Sequence, residues 1–383
     1  MNKIIKIILL LLLSFLVLSK TILANERIKI GLLVPLTGKN SEIGQSIIKS
    51  TRLAINKINN SSIEIIPRDT KSDPATTLRS AKELTELGIK IIIGPVFNDN
   101  LIYLGELKET IFLSLTNKSN HDSKNVINAG INATSQIRAI KKFIELNQIK
   151  KTIFLTPDVN YKNEIEKAID SSKIKIIGNY IYNTDPTKLT SQIEKITNYK
   201  RRKQNLKDEI NRLEKSDQTN KEKLIDRLQK KDTLGNVNFD SLVIADFDES
   251  LKSVTTSLLY TDVFPKKKYF ITLNQWFDES LLVEASLQPI YFPSINKKNY
   301  EDFSVEYFEK FNQYPNQLSF LSFDLVGLIY YLIIQNNSIV NEKIFTKKNL
   351  FKGKVGIFEI KNNKINHILN FYKVEDGEFK KIF

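Results

Sequence analysis

The sequence predicts an α/β protein of two lobes, each a mostly parallel sheet flanked by helices, with a helical-hairpin insertion. Three observations carry this. From residue 28 to residue 115, short apolar runs alternate with helical patterns. The alternation starts again at residue 152. Two helical stretches and a set of short strands then close the chain, so the chain visits both units more than once. That favours lobes joined by several crossing strands.

Ile28–Val34 reads as a buried strand, and Pro35-Leu36-Thr37-Gly38 as a turn. A helix is expected from about Ser41, with Ile43, Ile47, Ala54 and Ile58 near one face. Ile63–Ile66 is the next strand. Asp73 is placed to cap a helix with Pro74 at its first position, Leu78, Ala81, Leu84 and Leu87 on its face, and Gly88 as its stop. Ile89–Ile93 is a strand ending at Gly94-Pro95. A short helix from about Asp99 leads to the strand Ile111–Leu115.

In the second unit, Thr152–Leu155, Ile174–Tyr182, Ser241–Ala245 and Tyr269–Leu273 read as strands. Helices are expected over Lys162–Ser171 and from about Pro186. Gln288–Ser294 is an apolar segment. Asn299–Phe311 and Ser319–Gln335 read as helices, and Val355–Ile360, Ile365–Val374 and Glu378–Ile382 as strands, with turns at Asn362-Asn363 and Asp376-Gly377.

One segment departs from this scheme. Thr187–Leu234 contains no glycine or proline. Lys200–Asp232 holds twelve basic and seven acidic residues, net +5. Leu206, Ile210 and Leu213, then Leu224 and Leu228, recur at helical spacing on either side of the polar stretch Ser216–Asn220. The pattern fits two thin amphipathic helices in a hairpin. It reads either as a solvated, charge-laced protrusion or as a docking surface, with Arg201, Arg202, Lys203, Lys207, Arg212 and Arg227 as the contact residues.

Composition narrows the function. The 383 residues carry a formal charge of +14 and include no cysteine and two histidines, His121 and His367. Disulfides, a cysteine nucleophile, a thiolate metal site and a lipidated cysteine are all excluded. Residues 1–24 read as an export leader: Lys3 and Lys6, an apolar run from Ile7 to Leu18, and cleavage after Ala24. The run is short of the about 20 residues of a membrane span. Removing the leader removes three lysines and lowers the charge to +11. The expected location is the periplasm, with no stable membrane span after cleavage. The remaining charge is lysine scattered among acids; it favours acidic surfaces such as anionic polymers or lipid headgroups, and requires no nucleic acid.

No catalytic constellation emerges, and no cofactor or metal is expected. The Gly31–Lys39 stretch has the wrong spacing for a phosphate loop, and no G-x-S-x-G elbow occurs. Ser46-Ile-Ile-Lys49 matches S-x-x-K without its companion motifs. The histidines lack zinc-ligand spacing. Asp69 and Asp73 suit turn and cap roles. The candidates for chemistry lie instead beyond the carboxyl ends of the strands, where open parallel sheets hold ligands and helix N-termini favour anions. They are Thr37, Gly38, Val96, Asn98, Ser114 and Thr116 from the first unit, with Tyr161, Asp246 and Trp276 from the second.

Ile28-Lys-Ile-Gly-Leu-Leu-Val-Pro-Leu-Thr-Gly38, Ile43-Gly44-Gln45, Asp69-Thr70 and Ile91-Ile-Ile-Gly-Pro-Val96 resemble the type I periplasmic binding protein fold, in its leucine/isoleucine/valine-binding branch. The basic insertion followed by Phe239-Asp-Ser-Leu-Val-Ile-Ala-Asp246, the Ser322-Phe-Asp324 helix start and Phe351-x-Gly353-x-x-Gly356-x-Phe358 resemble the penicillin-binding protein activator family. The best-known members of that family are lipoproteins, whereas this chain has no cysteine to lipidate. The resemblance implies Tyr161 at a ligand tyrosine position and Asn98, Ser114 and Thr116 on carboxylate-binding loops. It also implies an exported, non-enzymatic protein that regulates peptidoglycan synthases by contact. The rival is the binding component of an ABC importer, contacting its permease and carrying a small amino-acid-like ligand; a third reading is a ligand sensor. The expected division is residues 25–132 plus 289–340 in one lobe, 133–288 plus 341–383 in the other, and the hairpin at 199–232.

Overall fold

The computed structural model describes residues 28–60, 63–118, 123–336, 342–346, 348–354, 356–361 and 364–383. The expected leader and its cleavage site, His121, Val355 and the Asn362-Asn363 turn lie outside the described residues.

The first lobe is built on β1 (Ile28–Val34), α1 (Ser41–Ile58), β2 (Ile63–Asp69), α2 (Pro74–Glu86), β3 (Ile91–Ile93), β4 (Ile111–Ser114) and β5 (Val126–Asn128). Two 3₁₀ turns, at Asn98–Leu101 and Leu104–Glu106, stand where a short helix is expected. The sheet order is β2-β1-β3-β4-β5, all parallel. Both faces are covered, because strand side chains alternate. Ile30, Leu32 and Val34 enter one core with Ile47 of α1. Leu33 enters the other with Ala81 and Leu84 of α2. The Asp73 carboxylate accepts the Thr76 amide at 2.7 Å and caps α2 ahead of Pro74.

The second lobe follows with α3 (Ala133–Leu146), β6 (Thr152–Pro157), α4 (Lys162–Ser172), β7 (Gly178–Tyr182), α5 (Pro186–Ile196), α6 (Tyr199–Glu214), α7 (Lys221–Gln229), β8 (Ser241–Ile244), α8 (Asp248–Tyr260), β9 (Tyr269–Thr272), α9 (Ser280–Val283) and β10 (Ile290–Ser294). The chain returns to the first lobe with α10 (Lys297–Phe311) and α11 (Gln317–Gln335). Strands β11 (Asn349–Lys352), β12 (Ile357–Lys361) and β13 (Lys364–Ile368) form a separate antiparallel sheet. Strands β14 (Asn370–Glu375) and β15 (Glu378–Lys381) complete the larger sheet, ordered β15-β14-β10-β9-β8-β6-β7. Five of its strands, β6–β10, are parallel; β14 runs against them, and β15, antiparallel to β14, runs with them again.

Helix α11 is long and apolar enough to cross a membrane by length and composition. It is instead the core helix of the first lobe. Ser319 Oγ meets Ser46 Oγ of α1 at 2.7 Å, and Phe320, Val326, Leu328 and Ile329 are fully buried.

Two expected boundaries move. Ile290–Ser294 pairs with β9 and β14, so it belongs to the larger sheet and the return to the first lobe begins at Ile295. The stretch Ile365–Val374, expected as one strand, is two: β13 and β14 lie in different sheets with buried Leu369 between them. The small sheet packs beside β5, α3 and α11 rather than within the second lobe. The chain thus crosses between lobes at Ala129–Asn132, at Ile295–Asn296 and at Leu369. These crossings are tied together. Asn132 Nδ2 donates to the Ile365 carbonyl at 3.0 Å, Tyr372 Oη to the Ile295 carbonyl at 2.9 Å, and the His367 ring to the Ala129 carbonyl at 2.9 Å.

Candidate functional site

A cavity of about 840 Å³ opens between the lobes. The first lobe supplies Val96, Phe97 and Asn98 after β3, and Thr116, Asn117 and Lys118 after β4. The second supplies Phe247 and Asp248 after β8, and Asn274–Glu279 after β9. All four loops leave the carboxyl ends of parallel strands, the position that topology favours for a ligand.

Of the sequence candidates, Val96, Asn98, Thr116 and Trp276 line this cavity. Thr37 and Gly38 do not. They form the exposed β1–α1 turn, where the Asp69 carboxylate accepts the Thr37 hydroxyl at 2.6 Å and the Leu36 and Lys71 amides at 2.8 Å. Burial alone would raise the Asp69 pKa; these hydrogen bonds outweigh it and hold it below the usual carboxylate value.

Ser114 is fully buried behind the wall. Its hydroxyl donates to the Pro95 carbonyl at 3.0 Å and accepts the Thr116 amide at 3.3 Å, so it braces the two first-lobe loops without facing the cavity. Tyr161 and Asp246 also stand one layer back. Tyr161 Oη is 3.4 Å from Asp246 Oδ1, Tyr182 Oη donates to Asp246 Oδ2, and the Phe247 amide donates to Oδ1 at 2.9 Å. Desolvation raises the Asp246 pKa, partly offset by these donors, and raises the tyrosines as well. The cluster props Phe247, whose ring meets Tyr161 edge-on, against the cavity.

The wall also holds residues absent from the sequence candidates. Gln136 of α3 accepts the Asn274 amide at 2.8 Å and donates to the Ile131 carbonyl at 3.1 Å, linking a lobe crossing to the β9 loop. Asn274 accepts the Trp276 amide at 3.0 Å and the Ser294 hydroxyl at 2.8 Å. Trp276 and Phe277 sit consecutively at φ of 49° and 60°. Two aromatic residues in the left-handed region are strained, and such strain clusters at ligand sites. The available signal was position: Asn274 and Gln275 follow the same strand end as Trp276.

The wall is acidic in a basic chain. Asp99, Asp248, Asp278 and Glu279 face it, against Lys118. Asn98 Oδ1 is buried there without a hydrogen-bond partner among the described residues, and a buried acceptor of this kind normally finds a donor. On α4, burial pushes the Glu164 carboxyl up to about 7 against the pull of Lys118 and Lys167, so it senses a first-lobe lysine.

The insertion is a helical hairpin of α6 and α7. Tyr199, Arg202, Leu206 and Leu213 are its buried face. Among the described residues α7 buries none. One expected contact residue is corrected. Arg202 is only 5% exposed, and its guanidinium donates to the Thr261 carbonyl at the end of α8. Desolvation lowers its pKa, with Asp262 and Tyr199 opposing. It anchors the hairpin and offers no docking group. Arg212 is held by Glu209 through two bonds of 2.7 and 2.8 Å. Arg201, Lys203, Lys207 and Arg227 are exposed, with no ion pair among the described residues.

Residues 27–200, a little under half of the chain, match the model of the periplasmic binding protein family. None of the curated proteins matches the sequence. Solved structures resemble the fold over nearly its whole length. A putative branched-chain amino acid ABC transporter protein from Rhodospirillum rubrum has a TM-score of 0.70 at 12% identity, covering 93% of this chain and 99% of that one. The C-domain of LpoA from Haemophilus influenzae, a regulator of PBP1A, gives 0.61 at 14%, covering 93% and 100%. The branched-chain amino acid binding protein LivJ from Streptococcus pneumoniae, in complex with isoleucine, gives 0.55 at 17%, covering 93% and 99%. At these identities the likeness shows the fold alone.

Proposed function

We propose that this is an exported, non-enzymatic binding protein that regulates a peptidoglycan synthase by direct contact through the α6–α7 hairpin. The observation that carries the reading is the hairpin itself. It is anchored at its base by buried Arg202 and presents exposed Arg201, Lys203, Lys207 and Arg227 to solvent. A two-lobed ligand binder needs no such insertion. The fold-level likeness to a PBP1A regulator supports the reading. Replacing Arg201, Lys203, Lys207 and Arg227 together by Ala should weaken capture of the synthase about tenfold or more, with steeper loss at high salt. Undiminished capture would remove the hairpin from the function.

A second reading, a solute-binding component of an importer, is favoured by the cleft. Its cavity, the Asn98 oxygen that has no partner among the described residues, and the acidic wall around Trp276 suit an amine-bearing solute such as an amino acid. Trp276 is the single tryptophan, so its fluorescence reports this cavity without labelling. A selective, saturable change with an amino-acid panel, lost in Asn98→Ala and Thr116→Ala, would establish this reading. A ligand at 100 times its Kd should also add about 2.7 kcal/mol to stability.

A further inference from the structure

We propose that the outer face of the small sheet, β11–β13, docks the protein on an anionic lipid surface. The strands alternate cleanly. Phe351 and buried Phe358, Ile360 and Ile365 face inward, while Leu350 (56% exposed), Ile357 (37%) and Ile368 (56%) face out. The register joins the outward three into one patch: Ile357 lies opposite Ile368, and Leu350, opposite Glu359, is diagonal to Ile357. Lysines rim it. Lys352 lies opposite Ile357, Lys361 lies directly opposite Lys364, and Lys348 precedes β11.

Charge selects the occupant. Glu359 is the one acid among the described outward residues of these strands, and Arg138 (3.5 Å) and Lys348 (3.8 Å) already hold it. Lys352, Lys361 and Lys364 have no ion pair among the described residues. Like charges placed directly across a strand pair repel, so the Lys361–Lys364 pair suits an anion from outside. Composition selects a bilayer over a protein. Among the described residues the outward side chains of this sheet are aliphatic and lysine-rich and include no aromatic or arginine, whereas protein interfaces centre on buried aromatic and arginine residues. Aliphatic side chains that enter the headgroup boundary, with lysine stems lying along them, are what an anionic membrane surface binds. The basic hairpin lacks the apolar half: among the described residues no large hydrophobic side chain is exposed there.

The test is co-sedimentation of residues 25–383, which contain all three sheets and every core, with two kinds of vesicle. One kind mixes phosphatidylglycerol with phosphatidylcholine; the other is phosphatidylcholine alone. Binding is expected to the anionic vesicles only and to fall with salt. Each lysine contributes roughly fivefold, so Lys352→Gln, Lys361→Gln and Lys364→Gln together should lose about a hundredfold in partition. Leu350→Ser, Ile357→Ser and Ile368→Ser should abolish the salt-resistant remainder. A hairpin control, Lys200→Gln with Lys203→Gln and Lys207→Gln, should bind as the parent does, and circular dichroism checks that each variant is folded. Three outcomes overturn the proposal: no binding to anionic vesicles at low salt, wild-type binding by the sheet variants, or the loss appearing in the hairpin control. A fourth does so as well: polyglutamate displacing the protein completely while the serine variant binds normally, which would assign the face to an acidic polymer.

Discussion

His367 sits beside two of the three lobe crossings, Ala129–Asn132 and Leu369, and it makes the fold sensitive to acid. The residue is 5% exposed. Its Nε2 donates to the Ala129 carbonyl at 2.9 Å, its backbone amide donates to the Ser135 hydroxyl at 2.9 Å, and its ring stands edge-on to Phe358 at 4.8 Å. Its Nδ1 is buried with no partner among the described residues. A second proton would enter an apolar pocket, and burial, only partly opposed by the Ala129 carbonyl, pushes the pKa from 6.5 down to about 4. The sign follows. Below pH 6.5 the unfolded chain takes up a proton that the folded chain refuses until about pH 4. Stability from this group is therefore complete above 6.5 and is lost as pH falls toward 4. A pKa of about 4 in place of 6.5 corresponds to about 3 kcal/mol, a large share of the about 5–15 kcal/mol of a folded domain. The perturbation is His367→Leu, compared with wild type by urea unfolding from about pH 7 to about pH 4.5. Leu carries a fixed penalty for the unpaired Ala129 carbonyl, which cancels across pH, as do the carboxylates common to both proteins. Wild type should lose about 2–3 kcal/mol more than the variant over that range. Parallel stability curves would refute the reasoning, because they would mean that the folded imidazole titrates normally.

Three further outcomes follow from particular contacts. A Cβ at Gly44 would lie 1.8 Å from the Pro35 carbonyl oxygen, a backbone atom that cannot rotate away, so Gly44→Ala should cost about 2–3 kcal/mol by urea midpoint; a cost under about 0.5 would mean that α1 does not pack against the β1 turn in this way. Arg202→Met removes the bond to the Thr261 carbonyl, so the hairpin amides should exchange about tenfold faster or more, with the β1 and β8 amides unchanged; equal acceleration throughout would show that Arg202 supports the whole lobe. The Glu164 carboxyl is raised to about 7, so its favourable protonated state is lost as pH rises from about 4.5 through about 7; Glu164→Gln should raise Tm more at about pH 8 than at about pH 5, and the reverse order would contradict the burial argument.

What the sequence disclosed depended on which physical question each residue answered. Alternation in Ile30, Leu32 and Val34 against Leu33 identifies two covered faces, and the Asp73-Pro74 and Asp185-Pro186 pairs mark helix starts by their own chemistry. Alternation identifies a face but never a partner. Ile290–Ser294 has the hydropathy of any buried strand, and only its pairing with β9 and β14 assigns it to the larger sheet. Ile365–Val374 keeps one continuous pattern while its backbone changes sheets at Leu369. The cleft was legible at the level of loops, because strand ends in parallel sheets converge. Which side chain turns into the cavity was not: Ser114 turns to Pro95, Asp246 to two tyrosines, and Gln136 arrives from a helix with nothing local to mark it. Arg202 could have been found. It occupies the stripe Tyr199, Arg202, Leu206, Ile210, Leu213, at spacings of three and four, so helical geometry alone places it on the buried side despite the basic run around it.

The two functional readings meet on one element. Helix α8 carries Asp248 at the cavity wall, and the Thr261 carbonyl just past its end receives Arg202 from the base of the hairpin. Its 13 residues span about 20 Å as a single helix. Cleft wall and hairpin base therefore belong to one rigid part of the second lobe. A ligand that closed the lobes would carry the hairpin as a body and leave its own surface unchanged. What closure changes is the position of the hairpin relative to the first lobe, because among the described residues the chain passes between the lobes at Ala129–Asn132, Ile295–Asn296 and Leu369. A partner that touches the hairpin alone cannot sense the cleft, however tightly the cleft is filled, since the bound and free proteins present it with the same contacts. A partner that bridges the hairpin and the first lobe must sense it, and by linkage must alter the ligand's affinity by the same factor. Measuring ligand affinity by Trp276 fluorescence with and without the partner thus separates a protein in which the cleft controls the hairpin from one in which the two act independently.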